Sequence, residues 1–186
     1  PNLDVDPYFV TERVHGQNLV ESLGELSDKM YDSVVRHAGA ILGDMHAEIG
    51  FEGFGNLKLE DDRLVVDNFS WDWQQFFSDM VEGYIDRLED TPFEDLQSTA
   101  RAALETNLAV VDTNAVPRLI HDDFRPANVM FDGDENTPIS SVLDWQLALA
   151  GDPEYHICRT EFLFIDPAFR DADRRNELRS LLHEGY

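Results

Sequence analysis

The chain has 186 residues, 42% of them hydrophobic, and its 38 acidic against 14 basic side chains leave a formal net charge of −24. That length allows one domain with a sizeable core; no run of about 18 apolar residues occurs, so no membrane span is expected, and nucleic acid, whose phosphates require Lys and Arg, is excluded as a partner by the charge. The single cysteine, Cys158, excludes an internal disulfide, and its apolar neighbours predict an inert core thiol.

The first predicted element is an apolar strand from Tyr8 that runs into a glycine turn at Gly16. Ser27 is the expected N-cap of a helix reaching to about Ile49. On it Met30, Val34, Ala38, Ile41, Leu42, Met45 and Ile49 share one face at helical spacing, and that face should be core. Gly39 and Gly43 cost the helix propensity, which predicts close packing against a neighbour. His37 and His46 read as structural or solvent-facing. Residues 50–55 are glycine-rich but follow a helix and are not closed by Lys-Ser or Lys-Thr, so a connector is expected and not a phosphate cradle. Residues 57–67 predict a small hairpin turning at Glu60, Asp61 and Asp62. Ser70 is expected to cap the next helix, which carries Trp71, Trp73, Phe76, Phe77, Met80, Tyr84, Ile85 and Leu88. Packing between helices is the favoured use of those aromatics, and a substrate pocket the alternative. A third helix is predicted over residues 93–110. Residues 117–120 then enter a loop as a short strand, and helix returns over 155–164 and from 171 onward.

The chemistry concentrates between these elements. Residues 121–132 read His-Asp-Asp-Phe-Arg-Pro-Ala-Asn-Val-Met-Phe-Asp, and after a polar turn residues 139–145 read Ile-Ser-Ser-Val-Leu-Asp-Trp. The two β-prone runs pair as a hairpin. With Asp132 opposite Ile139, Asn128 falls opposite Leu143, beside Asp144. Cross-strand neighbours lie about 5 Å apart, so one cation can touch Asn128 and Asp144, and hard Mg²⁺ prefers their oxygens. Pro126 interrupts the strand before it, and the loop can turn Asp123 toward the same point. There Asp123 is free to accept a proton from an attacking hydroxyl or to orient it. Two carboxylates and an amide are what magnesium-dependent phosphoryl transfer needs.

His121, Asp123 and Asn128, followed by Leu143-Asp144-Trp145 and then Gly151-Asp152-Pro153, resemble the aminoglycoside phosphotransferase and choline kinase superfamily of small-molecule kinases. The resemblance implies an α+β, protein-kinase-like fold with a mostly helical C-terminal lobe and a short catalytic hairpin. It implies Asp123 as catalytic base, Asn128 and Asp144 as magnesium ligands, His121 and Asp152 as structural support, and ATP with Mg²⁺ as cofactors. Residues 1–16 would end the nucleotide lobe and form the hinge, holding adenine by the carbonyl of Glu12 and the N–H of Val14. Residues 17–186 would be the C-terminal lobe. Only seven residues precede Tyr8, too few for the phosphate loop, the strand lysine and its glutamate. The chain is therefore expected to be a piece of a longer polypeptide whose nucleotide lobe is its missing partner. Three positions depart from the usual pattern: Asp122 stands where Gly is usual, Gln146 replaces a frequent acid, and His156 stands in place of Asp, which weakens one expected hydrogen bond. The implied activity is phosphorylation of a small-molecule hydroxyl in the cytoplasm. The alternatives are a non-catalytic binding module and a metal-dependent phosphohydrolase using Asp122, Asp123 and Asp144.

The acids are spread along the whole chain, and only Lys29 and Lys58 are lysines. Such a surface repels itself at low ionic strength, and about 1 M salt shortens the Debye length to about 3 Å. The hypothesis that follows is adaptation to a salt-rich cytoplasm; an acidic face for cationic substrates or partners is the rival explanation.

Overall fold

The computed structural model describes residues 12–166 and 171–186, so residues 8–11 of the strand expected from Tyr8 toward Gly16 lie outside the described residues, and residues 12–14 are not strand. In chain order the elements are β1 (Gln17–Asn18), α1 (Leu19–Ser22), α2 (Asp28–Glu48), β2 (Phe54–Glu60), β3 (Arg63–Ser70), α3 (Trp73–Asp86), α4 (Gln97–Asn107), β4 (Arg118–Ile120), β5 (Val129–Phe131), β6 (Ile139–Val142), β7 (Leu149–Gly151), α5 (Pro153–Thr160) and α6 (Ala172–Gly185). The strands form two antiparallel sheets, β1-β5-β6 and β3-β2-β7-β4. The architecture is α+β, as expected.

Ser27 caps α2, its hydroxyl accepting from the Met30 N–H at 3.2 Å. The buried stripe runs through Tyr31, Val34, Val35, Ala38, Leu42 and His46. It is turned from the expected face, leaving Met30 and Ile41 half-buried and Ile49 exposed. The neighbour explains the turn. Helix α6, capped by Asp171, lies so close along α2 that a Cβ at Gly39 would collide with the Leu182 carbonyl oxygen, and one at Gly43 with that of Tyr186. These two helices, α5 and the β5–β6 hairpin enclose the larger core, which includes Leu42, Phe124, Val129, Phe164 and Leu178.

The smaller core joins Phe54, Trp73, Phe76, Ile120 and Leu149. Trp73 packs against Phe54, Phe76, Phe77 and Tyr155 at centroid distances of 5.4 to 5.9 Å, so Trp73, Phe76 and Phe77 of α3 serve packing, while Tyr84 is exposed. The hairpin β2–β3 turns at Asp61 and Asp62, both with positive φ, as a two-residue turn requires. It is longer than expected, and Ser70 still belongs to β3. The cap of α3 is therefore Asp72, whose carboxylate accepts from the Gln75 N–H at 3.1 Å, and Trp71 is left outside the helix and 77% exposed. The expected third helix is α4 flanked by a 3₁₀ turn on each side. Cys158 is exposed, contrary to expectation, because His156, Ile157 and Thr160 take the buried face of α5. Residues 50–53 form the connector into β2, as expected, while Phe54 and Gly55 already belong to the strand. No helix among the described residues is long and apolar enough to cross a membrane.

Candidate active site

Strand β4 delivers His121, Asp122 and Asp123 into three different environments. His121 is fully buried. Its Nδ1 accepts from the Asp123 N–H at 3.3 Å, which leaves Nε2 to donate to the Leu143 carbonyl at 2.8 Å. The Leu143 N–H in turn reaches the Asn128 carbonyl at 2.8 Å. One imidazole thus fastens the loop to the end of β6. Burial pushes the His121 pKa below its ordinary value, opposed by the Leu143 carbonyl, Asp123 and Asp144.

Asp122 has φ +60°, the left-handed conformation that glycine adopts freely and Asp tolerates. Its buried carboxylate accepts from the Tyr155 hydroxyl at 2.6 Å and pairs with Arg159 Nε at 2.7 Å. Burial raises its pKa against the pull of Tyr155 and Arg159. The extra charge beside the site is therefore already engaged.

Asp123 is held from the opposite side. Pro126 opens a 3₁₀ turn, Pro126–Asn128, closed by the Asn128 N–H on the Arg125 carbonyl at 2.9 Å. This turn brings Asn128 Nδ2 to 2.8 Å from Asp123 Oδ2 and 2.9 Å from the Asp123 carbonyl. Arg125 Nε donates to the same Oδ2 at 3.0 Å. Asn18, which also caps α1, ties the turn to β1 through Nδ2 on the Ala127 carbonyl at 2.6 Å.

The hairpin pairs Val129 with Val142, Met130 with Ser141 and Phe131 with Ile139. Continued outward from Val129 and Val142, that register sets Asn128 opposite Leu143, as expected. At the turn end it is off by one residue: the Asp132 N–H meets the Pro138 carbonyl, not Ile139. The cause is a bulge between Met130 and Phe131 that leaves Ser140 as the extra residue. Ser140 uses the freedom to donate its hydroxyl to the His15 carbonyl at 2.9 Å. The strand stops at Val142, short of Trp145, because Asp144 is left-handed (φ +64°, ψ +65°) and opens the 3₁₀ turn Trp145–Leu147. Asp144 is exposed, and among the described residues no hydrogen-bond donor engages its carboxylate. Asp152 caps α5, accepting from the Glu154 N–H at 3.0 Å, and burial raises its pKa.

Asp123 and Asn128 are thus joined directly, with Asp144 one residue beyond the Leu143–Asn128 bond. Glu12 is exposed and Val14 half-buried on the segment leading to Gly16, whose φ of +105° lets it pack on the Phe131 carbonyl. No described hydrogen bond links Glu12 or Val14 to the other three. Among the described residues no three His, Cys, Asp or Glu side chains cluster as a metal site. The donor set still fits magnesium: Asn128 commits its N–H to Asp123, leaving its oxygen, and Asp144 offers an unengaged carboxylate. Mg²⁺ takes few protein oxygens and completes its shell with water and phosphate. A cavity of about 630 Å³, lined by Asp112, Asp152, Glu154, Cys158 and Tyr186, contains none of Asp123, Asn128 and Asp144. Sequence reasoning missed Arg125, Asn18, Tyr155 and Arg159. The spacing of Tyr155 and Arg159, four apart on one helix face, was the available signal.

The sequence profile of the phosphotransferase enzyme family matches residues 2–183. Among solved structures, the chain is similar to the GDP and kanamycin complex of APH(2")-IIia, at 17% identity and a TM-score of 0.56, over 92% of this chain and 58% of that one. It is also similar to the gentamicin complex of APH(2")-IIa, at 16% identity and a TM-score of 0.51, over 92% of this chain and 54% of that one. The chain therefore spans less than two thirds of the length of these proteins, and at such identity the likeness is one of fold. No curated protein matches the sequence.

Proposed function

This chain belongs to the phosphotransferase enzyme family, and on that premise we propose that it supplies the catalytic loop of a cytoplasmic, ATP-dependent kinase acting on a small-molecule hydroxyl. Amino sugars, amino alcohols, sugars and amino acids are the acceptor classes. The observation that carries this reading is the Asp123 carboxylate: Asn128 and Arg125 engage Oδ2, and Oδ1 has no partner among the described residues. In the proposed step the acceptor oxygen bonds to the γ-phosphorus while the bond to the β,γ-bridging oxygen breaks. The electron pair leaves with the nucleoside diphosphate, and the hydroxyl proton passes to Asp123 Oδ1. Asn128 Oδ1 and Asp144 would hold Mg²⁺, which supplies neutralisation of the phosphates. His121 braces the loop through Leu143, and Asp152 steadies α5. Residues 1–16 are assigned to the hinge, with Glu12 and Val14 offering backbone groups to adenine, and residues 17–186 to the C-terminal lobe; the rest of the nucleotide lobe would be the partner. The structural neighbours in complex with kanamycin and gentamicin favour amino sugars among the acceptors. A phosphohydrolase would need Asp122 as a ligand, and Tyr155 and Arg159 already occupy it.

The test is coupled release of nucleoside diphosphate at high salt by this chain joined to a nucleotide lobe, with ATP and GTP in parallel because the kanamycin-bound neighbour carries GDP. An acceptor panel spans the four classes. Asp123→Asn should lower turnover by about a hundredfold or more while nucleotide binding persists. Full activity in that variant would remove Asp123 from the chemistry.

A further inference from the structure

Behind the catalytic loop three histidines from three different elements lie in one line. The buried His121 N–H, at the end of β4, has His156 Nε2 on α5 as its partner at 3.4 Å. His156 Nδ1 is 2.9 Å from His46 Nε2 on α2, and His46 Nδ1 is 3.0 Å from the Tyr186 hydroxyl. His121 and His156 are fully buried and His46 nearly so.

The proton positions follow from one fact: a backbone N–H can only donate. His156 Nε2 must therefore carry a lone pair, and in a neutral ring its proton sits on Nδ1. That proton points at His46 Nε2, which must then be the acceptor, so the His46 proton is also on Nδ1 and faces the Tyr186 oxygen. Every donation runs outward from the loop to Tyr186. A second proton on either ring would set two N–H groups against each other. The charged groups facing the pair are Arg159 on α5 and Arg118 on β4, both cationic, while Asp152 and Glu154 reach only as far as Tyr186. Burial and these cations push both imidazoles below their ordinary pKa.

We propose that His46, His156 and Tyr186 form a neutral, one-directional hydrogen-bond chain that positions the catalytic loop by its His121 amide, with His46 and His156 as positioning residues. The chain runs from the α2–α6 pair, packed closely enough that a Cβ at Gly39 would meet backbone, into the loop that carries Asp123. Its 3.4 Å step at His121 is the longest, so slackening of the chain is felt there first. This deepens the phosphotransferase reading by naming what holds the loop, but its test does not depend on catalysis.

The test uses the whole chain labelled with ¹⁵N-histidine, at pH 7.5. Imidazole ¹⁵N spectra should show both His46 and His156 protonated on Nδ1; either ring in the Nε2–H form overturns the chain, whatever becomes of the variants. His156→Asp replaces a donor–acceptor ring with an acceptor only. It should keep the His121 amide protected, move the His46 proton to Nε2 and turn the Tyr186 hydroxyl into the donor. A merely space-filling His156 would leave the His46 tautomer unchanged, and that result overturns the proposal. His46→Phe keeps the ring but breaks the line. Protection of the His121 amide against exchange should fall about tenfold while that of Leu42 in α2 is retained. Unchanged His121 protection would show that His46 positions nothing.

Discussion

Asp122 concentrates the chemistry of single residues in this fold. Its backbone takes the left-handed turn that hands the chain from β4 to Asp123, and its carboxylate is buried with one cation, Arg159. Removing one partner of such a pair strands the other. Arg159→Leu should lower unfolding stability by about 2 to 3 kcal/mol, below the roughly 3 to 5 kcal/mol of a fully buried pair because Arg159 is 29% exposed; urea denaturation would measure it. His46 gives a second prediction, with a sign. Burial, then Arg118, lower its pKa to about 4 in the folded chain, against about 6.5 unfolded. Below pH 6.5 the unfolded chain therefore gains a proton that the folded one refuses. The resulting loss of stability is absent above about pH 6.5 and grows as pH falls toward 4. Asp122 and Asp152, whose pKa values burial raises, act in the opposite sense. The informative quantity is therefore the stability of wild type minus that of His46→Phe. It should fall by about 1.4 kcal/mol per pH unit in that window, and a flat difference would refute the lowered pKa.

At the scale of elements, the α2–α6 contact decides what a glycine is for. Gly39 and Gly83 both sit in helices, where alanine gains roughly 0.5 to 1 kcal/mol. Nothing lies within 4 Å of a Cβ at Gly83 on α3, whereas at Gly39 it would meet the Leu182 backbone. Gly83→Ala should therefore stabilise by about that amount. Gly39→Ala should destabilise by about 2 kcal/mol or more, because backbone must move to admit it; chemical denaturation of the two variants side by side separates propensity from packing. Sequence periodicity marked α2, its cap and its glycines without showing the partner. Only the approach of α6, whose own Gly185 would meet the Arg36 carbonyl, turned the buried stripe toward Tyr31, Val35 and His46. The β5–β6 hairpin divides in the same way. Its register near Asn128 was legible from the strand pattern, but the bulge at Ser140 was not, because its hydroxyl bonds to His15, 125 positions away.

Over the whole molecule, charge outweighs local pairing. The Lys29–Glu135 pair is 81% and 70% exposed, and such pairs contribute little. They do not offset a net charge of −24. If the surface is adapted to a salt-rich cytoplasm, the melting temperature should rise by several degrees between dilute buffer and about 1 M KCl as screening shortens the Debye length. A melting point that ignores KCl would discard the adaptation.

The α+β class, most elements, the family and the placing of Asn128 opposite Leu143 could be read from residue order alone, since each depends on spacing along strands, helices or loops. The family resemblance marked Asp152 and His121 as structural support; that Asp152 caps α5 and His121 fastens the loop to Leu143 came from the structure. What residue order could not supply were the partners. Asp122 reaches Tyr155 and Arg159 on α5, His156 reaches back to His46 on α2, and Cys158 turns outward because its neighbours claim the inner face. The hydrogen bonds among these join residues 33 to 110 positions apart, and only tertiary packing brings such segments within reach of one another.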